Sequence, residues 1–291
     1  MIRVTRPKNE PQALIDKRNE QLGELRKLVR DGASSDEIQK KITGYKVVRD
    51  DLWQAQHLKC CYCEKKGEAE HNDVEHYRPK LMADRSPGSS DRHGYWWLAF
   101  TWANLLYACS NCNRSNKNIQ FPLAVGSEAL QPEDPPHGKE KPLLLDPAEP
   151  LDHPVDHIVF RLEALVLGAP PRWFARPRNG SVRGNQSIVV YGLNRGGLLE
   201  LRDDHVKGNV TTPATKLKRL LEANNLEEAR SLFEEARSKF DVEAPYAALT
   251  YDAYRHYVSD DLLGVIGKSW PKPSEVGLPR AARPIRRPAS S

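Results

Sequence analysis

Two cysteine pairs of identical spacing constrain this chain more than any other feature: Cys60 with Cys63, then Cys109 with Cys112. A C-x-x-C bend presents two thiolates together, and two such bends supply the tetrahedral four-sulfur shell that zinc favours. Four thiolates leave no position open on the ion, so the site ties distant segments together rather than doing chemistry. The fifth cysteine, Cys61, is read as a small residue packed behind the first bend. All five lie within residues 60–112. A secreted disulfide scaffold would spread them over its loops, so a reducing cytoplasm and a metal are expected.

Charge and length narrow the setting. The chain has 291 residues and a formal net charge of +5, with an isoelectric point near 8.9. That balance suits a polyanionic partner without requiring one. No apolar run approaches the roughly 20 residues that span a bilayer, and no signal-peptide core is evident, so no membrane association is expected.

The patterning reads as α+β, with a zinc-stabilised module embedded in a mainly helical protein. Residues 1–59 form a helical region: a basic arm (Arg3, Arg6, Lys8), then a helix entered through Pro11 and closed by Gly32, then a second helix over residues 45–58. Residues 60–125 hold the chemical module, with a polar loop at residues 84–93. Residues 126–210 are a mixed extension. It has extended pieces at residues 143–147 and 157–160, a hairpin arm at residues 162–168, a basic turn at residues 172–183, and Asn194 capping a helix over residues 198–206. Residues 211–270 are helical, in long stretches over 216–240 and 246–263, and offer a surface for partner docking or a core. Residues 271–291, rich in proline and arginine, read as a disordered basic tail.

Between the cysteine pairs lie the residue types that phosphodiester hydrolysis needs. His76 is neutral near physiological pH and can take a proton from water. The adjacent Glu75 offers hard oxygen to Mg²⁺ or Mn²⁺. Asn104 can pin a backbone or the imidazole. Asn113, set just after the second bend, can give an amide oxygen to the same metal, with Asn116 or His71 as alternative ligands. Arg78, Lys80, Arg114 and Lys117 flank this centre as candidate phosphate contacts, and Arg172, Arg176, Arg178 and Arg183 could extend the track. Trp96, Trp97, Phe100 and Trp102 read as core.

The order C-x-x-C, acidic residue and His, Asn, then C-x-x-C-N-x-x-x-K resembles the HNH endonucleases of the ββα-metal type. The resemblance implies a hairpin presenting Glu75 as the acidic metal ligand and His76 as the general base. It also implies that Asn104 orients the hairpin and that Asn113 is a helix-borne second ligand. Within that family the chain is similar to the HNH subunits of Septu-type and retron-associated bacterial anti-phage systems. The likeness is carried by Cys60-Cys61-Tyr62-Cys63-Glu64, Val74-Glu75-His76-Tyr77-Arg78-Pro79-Lys80, Trp102-Ala103-Asn104-Leu105-Leu106 and Cys112-Asn113. Phe121-Pro122-Leu123, Leu144-Leu145-Asp146-Pro147 and Tyr191-Gly192-Leu193-Asn194-Arg195, with Leu198, Leu199 and Arg202, extend it. Glu75 stands where Asp is usual and Asn113 where His is usual, and both changes weaken metal binding.

The resemblance implies DNA as substrate, with an RNA such as tRNA as the alternative, and an ABC-like ATPase partner. The chain has no G-x-x-x-x-G-K-[ST] segment of its own. The rival reading of the same residues is a non-catalytic, zinc-stabilised nucleic-acid-binding or adaptor subunit.

Overall fold

Why the first elements form is local. Pro11 precedes α1 (Gln12–Arg30), whose Leu14 and Leu25 are buried. Ser34 then opens α2 (Ser35–Lys41) with a reciprocal capping box, its hydroxyl taking the Glu37 N–H and Glu37 taking the Ser34 N–H. That helix was not expected. The predicted helix over residues 45–58 is shorter than its pattern: a 3₁₀ turn (Tyr45–Val48) leads into α3 (Arg49–Ala55). His57 and Leu58 take left-handed φ values of 53° and 64°, which ends it before the first cysteine. The computed structural model describes residues 1–86, 89–132, 134 and 138–278.

The architecture is mixed α+β and mostly helical, and its described strands form three two-stranded antiparallel sheets. Strand β1 (Asn72–His76) pairs with β4 (Leu105–Cys109), in a register that sets Glu75 opposite Leu106 and His76 opposite Leu105. Strands β2 (Ala83–Ser86) and β3 (Ser89–Asp91) pair where a plain loop was expected. A π-helix (Asn111–Lys117) follows β4 directly. Then come a one-turn α4 (Pro154–His157) and the hairpin β5 (Ile158–Glu163) with β6 (Arg172–Pro177). Residues 172–177 of the expected basic turn are therefore a strand, and a 3₁₀ turn (Arg178–Gly180) follows. Ser181 caps α5 (Val182–Val190). Asn194 caps no helix: its amide clasps both backbone groups of Ala175, and α6 (Gly196–Asn209) begins after Arg195.

The expected long helices are each divided. α7 (Thr211–Glu222) and α8 (Leu226–Ser238) break at Asn224, where φ is 57°. α9 (Ala247–Tyr257) is followed by the short α10 (Asp260–Leu263). Residues 271–278 are not part of a loose tail, because Val276 is fully buried and the Gly277 N–H reaches the Phe240 carbonyl at 2.7 Å. Residues 279–291 of that expected tail lie outside the described residues. The basic N-terminal arm is also tied down, with Arg6 Nε donating to the Leu105 carbonyl at 2.9 Å.

β4 separates two hydrophobic cores. Alternate side chains of a strand face opposite ways. Leu105 and Tyr107 enter a core with Leu14, Leu52, Trp96, Phe100 and Trp102. Leu106 and Ala108 enter one shared by Cys60, Tyr62, Tyr191, Leu217, Phe233 and Tyr254. The apolar faces of α7 to α9 are thus spent on the core behind the cysteine bends. Among the described residues, no helix is long and apolar enough to cross a membrane.

Candidate active site and metal centre

The two cysteine bends meet. Cys60 N–H donates to the Lys65 carbonyl at 3.0 Å and Glu64 N–H to the Cys60 carbonyl at 3.0 Å, with Glu64 at a left-handed φ of 62°. The second bend joins the end of β4 to the π-helix. The sulfurs of Cys60, Cys63, Cys109 and Cys112 all lie within 4.8 Å of one another, and Cys63 and Cys109 are 3.8 Å apart. Zinc–sulfur bonds of 2.3 Å in a tetrahedron require sulfurs about 3.8 Å apart, so the residues fit a structural zinc. Cys61 is buried outside this foursome, its N–H on the Tyr107 carbonyl.

A dication held by four thiolates carries a net charge of about −2, and two arginines stand against it. Arg195 donates to Cys112 sulfur at 3.3 Å and reaches Cys109 at 4.0 Å. Burial opposes its charge, but the cysteines outweigh burial and raise its pKa. Arg202 is 1% exposed. Burial pushes its pKa down to about 10, against the pull of Cys63 and Glu64. In the sequence both arginines had a place in the resemblance but no role.

Beside the sulfur cluster, β1, the Tyr45–Val48 turn and the π-helix enclose a cleft of about 560 Å³. His76 and Glu75 both line it, although they leave the strand on opposite faces. His76 is 5% exposed, and its ring meets Tyr45 edge-on at 4.7 Å. Nε2 lies 2.9 Å from the Ala99 carbonyl, which can only accept, so Nε2 carries the proton and Nδ1 is the bare base. Burial first, then Lys80 and Lys117, hold its pKa well below 6.5. The ring is therefore neutral at physiological pH.

Glu75 faces inward on the other side. Its Oε1 takes the Lys117 ammonium at 2.7 Å and the Tyr62 hydroxyl at 3.2 Å, and Tyr62 stacks on Tyr191 at 3.9 Å. Both contacts fall on Oε1. Asn104 does not reach the cleft. Its amide accepts the Arg78 N–H at 2.8 Å and donates to the Arg78 carbonyl at 3.0 Å, extending the β1–β4 pairing past His76 and fixing the turn that follows. Asn113 lines the cleft with its amide nitrogen 3.2 Å from Asp73 Oδ2. Asn116 is half-buried and bonds within its own helix, and His71 is exposed outside the cleft.

The chain is similar to the Septu protein PtuB of Bacillus mycoides (strain KBAB4). The two are 35% identical over 146 residues, which is 50% of this chain and 45% of that protein. The match thus spans less than half the length of that relative. No family model matches the chain, and no solved structure does.

The expected phosphate contacts divide. Lys80 lines the cleft, its ammonium 4.9 Å from the Tyr45 ring centre. Arg114 lines it too, paired with Asp73. Lys117 is fully buried on Glu75 and the His76 carbonyl, closed to an incoming phosphate. Arg78 is turned away to the buried Glu140 at 2.7 Å. Arg172, Arg176, Arg178 and Arg183 are paired with Asp203, Glu163, Asp252 and Asp152, so each local charge is already balanced. Trp96, Phe100 and Trp102 are core residues. The sequence reading missed Asp73 and Tyr45. Asp73 had a signal, because it stands two residues before Glu75 and so shares its face of β1. Tyr45 had none.

Proposed function

We propose that this chain is a metal-dependent HNH endonuclease that hydrolyses phosphodiester bonds, with DNA as its substrate. We further propose that it is the effector subunit of a Septu-type anti-phage system controlled by an ABC-like ATPase partner. The observation that carries the reading is His76, a buried neutral imidazole whose Nε2–H is committed to the Ala99 carbonyl and whose Nδ1 is bare in a cleft that also holds Glu75 and Lys80. Such a nitrogen accepts a proton from an attacking water at neutral pH.

The antiparallel β1–β4 pair followed at once by a helix supports the ββα-metal reading. β1 carries Glu75 and His76, and the helix carries Asn113. A π-helical turn is uncommon and recurs at functional sites. Glu75 Oε2 and the Asn113 amide would hold Mg²⁺ or Mn²⁺, which when bound polarises the phosphate and stabilises the leaving oxygen. Lys80 meets the phosphate, Asn104 fixes the turn behind His76, and the four-cysteine zinc holds the helix to the strand. The likeness to a Septu protein supports the defence role. With no P-loop in the sequence, ATP use belongs to the partner.

One observation favours the non-catalytic alternative: Lys117 already neutralises Glu75. The deciding experiment incubates the purified chain, alone and with its ATPase partner, with plasmid DNA and total tRNA in Mg²⁺ or Mn²⁺. His76→Ala protein that retains zinc and fold is the control. Cleavage of DNA by the wild type alone supports the proposal. Cleavage of tRNA alone moves the substrate to RNA. Nucleic-acid binding without cleavage under any pairing favours the non-catalytic subunit.

A further inference from the structure

We infer that Asp73 and Asn113 form one edge of the cation seat in this cleft, and that the Arg114 guanidinium occupies that edge until a divalent cation displaces it. The inference rests on the nuclease reading and adds to it a ligand, Asp73, and an exchange step.

Strand phase comes first. Asp73 and Glu75 leave β1 on the same face, toward the π-helix that carries Asn113 and Arg114. Asp73 is 7% exposed, and its carboxylate accepts from Arg114 Nε at 2.8 Å, from Arg114 Nη2, and from Asn113 Nδ2 at 3.2 Å. The two ends of the ion pair differ: the Asp73 side chain is 9% exposed and the Arg114 side chain 69%. A sunken carboxylate is thus balanced by a cation whose stem is unpacked and whose head stands in water. Releasing such a solvated partner costs little, provided another positive charge replaces it.

The spacing suits a small cation. The oxygen and nitrogen of an asparagine amide exchange places by a half-turn of the group. Turned, Asn113 presents Oδ1 where Nδ2 now stands, 3.2 Å from Asp73 Oδ2. Neighbouring oxygens on an octahedral cation with bonds of 2.0–2.1 Å are about 2.9 Å apart, so the two atoms need only a small adjustment. Glu75 and His76 line the same cleft, with their hydrogen-bond and ion-pair contacts made through Oε1 and Nε2. Once displaced, Arg114 stands at the cleft mouth with Lys80, free to hold a phosphate. Cation and nucleic acid then favour each other's binding, because one releases the group that the other needs.

The plain alternative is that Asp73, Asn113 and Arg114 only fasten the π-helix to β1. Mn²⁺ binding to the zinc-loaded full chain, followed by electron paramagnetic resonance without nucleic acid, separates the two. Asp73→Asn should weaken Mn²⁺ binding about tenfold or more, with zinc content unchanged. Arg114→Ala should tighten Mn²⁺ binding while weakening nucleic-acid binding, an opposition that a mere fastener would not produce. Unchanged or weaker Mn²⁺ binding in Arg114→Ala overturns the inference, and this variant decides the matter if Asp73→Asn does not fold. Loss of Mn²⁺ in Glu75→Gln but not in Asp73→Asn also overturns it and leaves the nuclease reading standing. A wild type that binds no Mn²⁺ overturns both.

Discussion

Lys117→Met tests whether Glu75 is held as a buried charge. The ammonium lies 2.7 Å from Glu75 Oε1 and 2.9 Å from the His76 carbonyl, and the two paired side chains are 0% and 5% exposed. Methionine keeps most of the length and volume, so the packing loss is small. What goes is the counter-charge, leaving a sunken carboxylate with only the Tyr62 hydroxyl at 3.2 Å. Removing one partner of a buried pair costs about 3–5 kcal/mol, and the stranded His76 carbonyl adds about 1 kcal/mol. A loss of about 4–6 kcal/mol lowers the Tm of a chain this size by about 8–12 °C.

The assay is urea and thermal unfolding of the four proteins of the cycle: wild type, Lys117→Met, Glu75→Gln and the double variant, all zinc-loaded and free of other metals. The double variant should recover most of the loss, because no buried charge is then unpaired. Mn²⁺ should also stabilise Lys117→Met in a concentration-dependent way, since a cation on Glu75 Oε2 replaces the lost charge. A cost below about 1 kcal/mol, the value of a solvated pair, would refute the reasoning. So would a double variant no more stable than Lys117→Met.

Three further outcomes are expected. Chelation or Cys109→Ser should remove stoichiometric zinc and collapse the near-ultraviolet circular dichroism of the module, because structural zinc contributes about 10 kcal/mol or more, comparable to a whole domain's stability. With His76 held below its usual 6.5 by burial and two lysines, kcat/KM should show no inflection near that pH, its acid limb falling lower. Stability should be complete above 6.5 and decline as pH falls from there toward the depressed value, and Lys80→Met should move the inflection up. Gly192→Ala should cost about 1–3 kcal/mol: φ is +60°, and a Cβ would stand 2.0 Å from Asn116 Oδ1 on the π-helix. Chemical denaturation measures it, and an effect within about 0.5 kcal/mol, the range of a neutral surface change, would contradict the assigned contact.

The sulfur cluster was legible in the sequence because ligation is local. A C-x-x-C spacing already fixes how two thiolates can point, and only the meeting of the two bends is tertiary. The first helix was legible for the same reason, since Leu14 and Leu25 follow the period of a helix packed on one side. The pairing of residues 72–76 with residues 105–109 was not legible, because nothing in either strand names its partner across the intervening residues; the resemblance implied only a hairpin presenting Glu75 and His76. Helix ends were misjudged where one residue takes a left-handed backbone, at Leu58 and at Asn224. Apolar periodicity runs straight through such a position. Asn194 misled differently, because its amide is equally suited to a helix start and to the Ala175 backbone, and only the neighbouring strand decides.

Charge was the least legible property, and the reason bears on function. Sequence gives the number of cations, whereas substrate binding depends on those whose charge is unspent. Of the eight arginines and lysines first set aside for phosphate, seven have a carboxylate within 4 Å: Arg78, Arg114, Lys117, Arg172, Arg176, Arg178 and Arg183. Of these eight, Lys80 alone has no such ion pair, and it lines the cleft. Of the paired seven, only Arg114 combines a cleft position with an exposed side chain. The net charge of +5 is therefore a poor measure of the field a nucleic acid meets. On the proposed reading, phosphate binding in this cleft starts from Lys80 and Lys46, which both line it, and gains Arg114 only when Asp73 finds another partner, so affinity is set by what else enters the site.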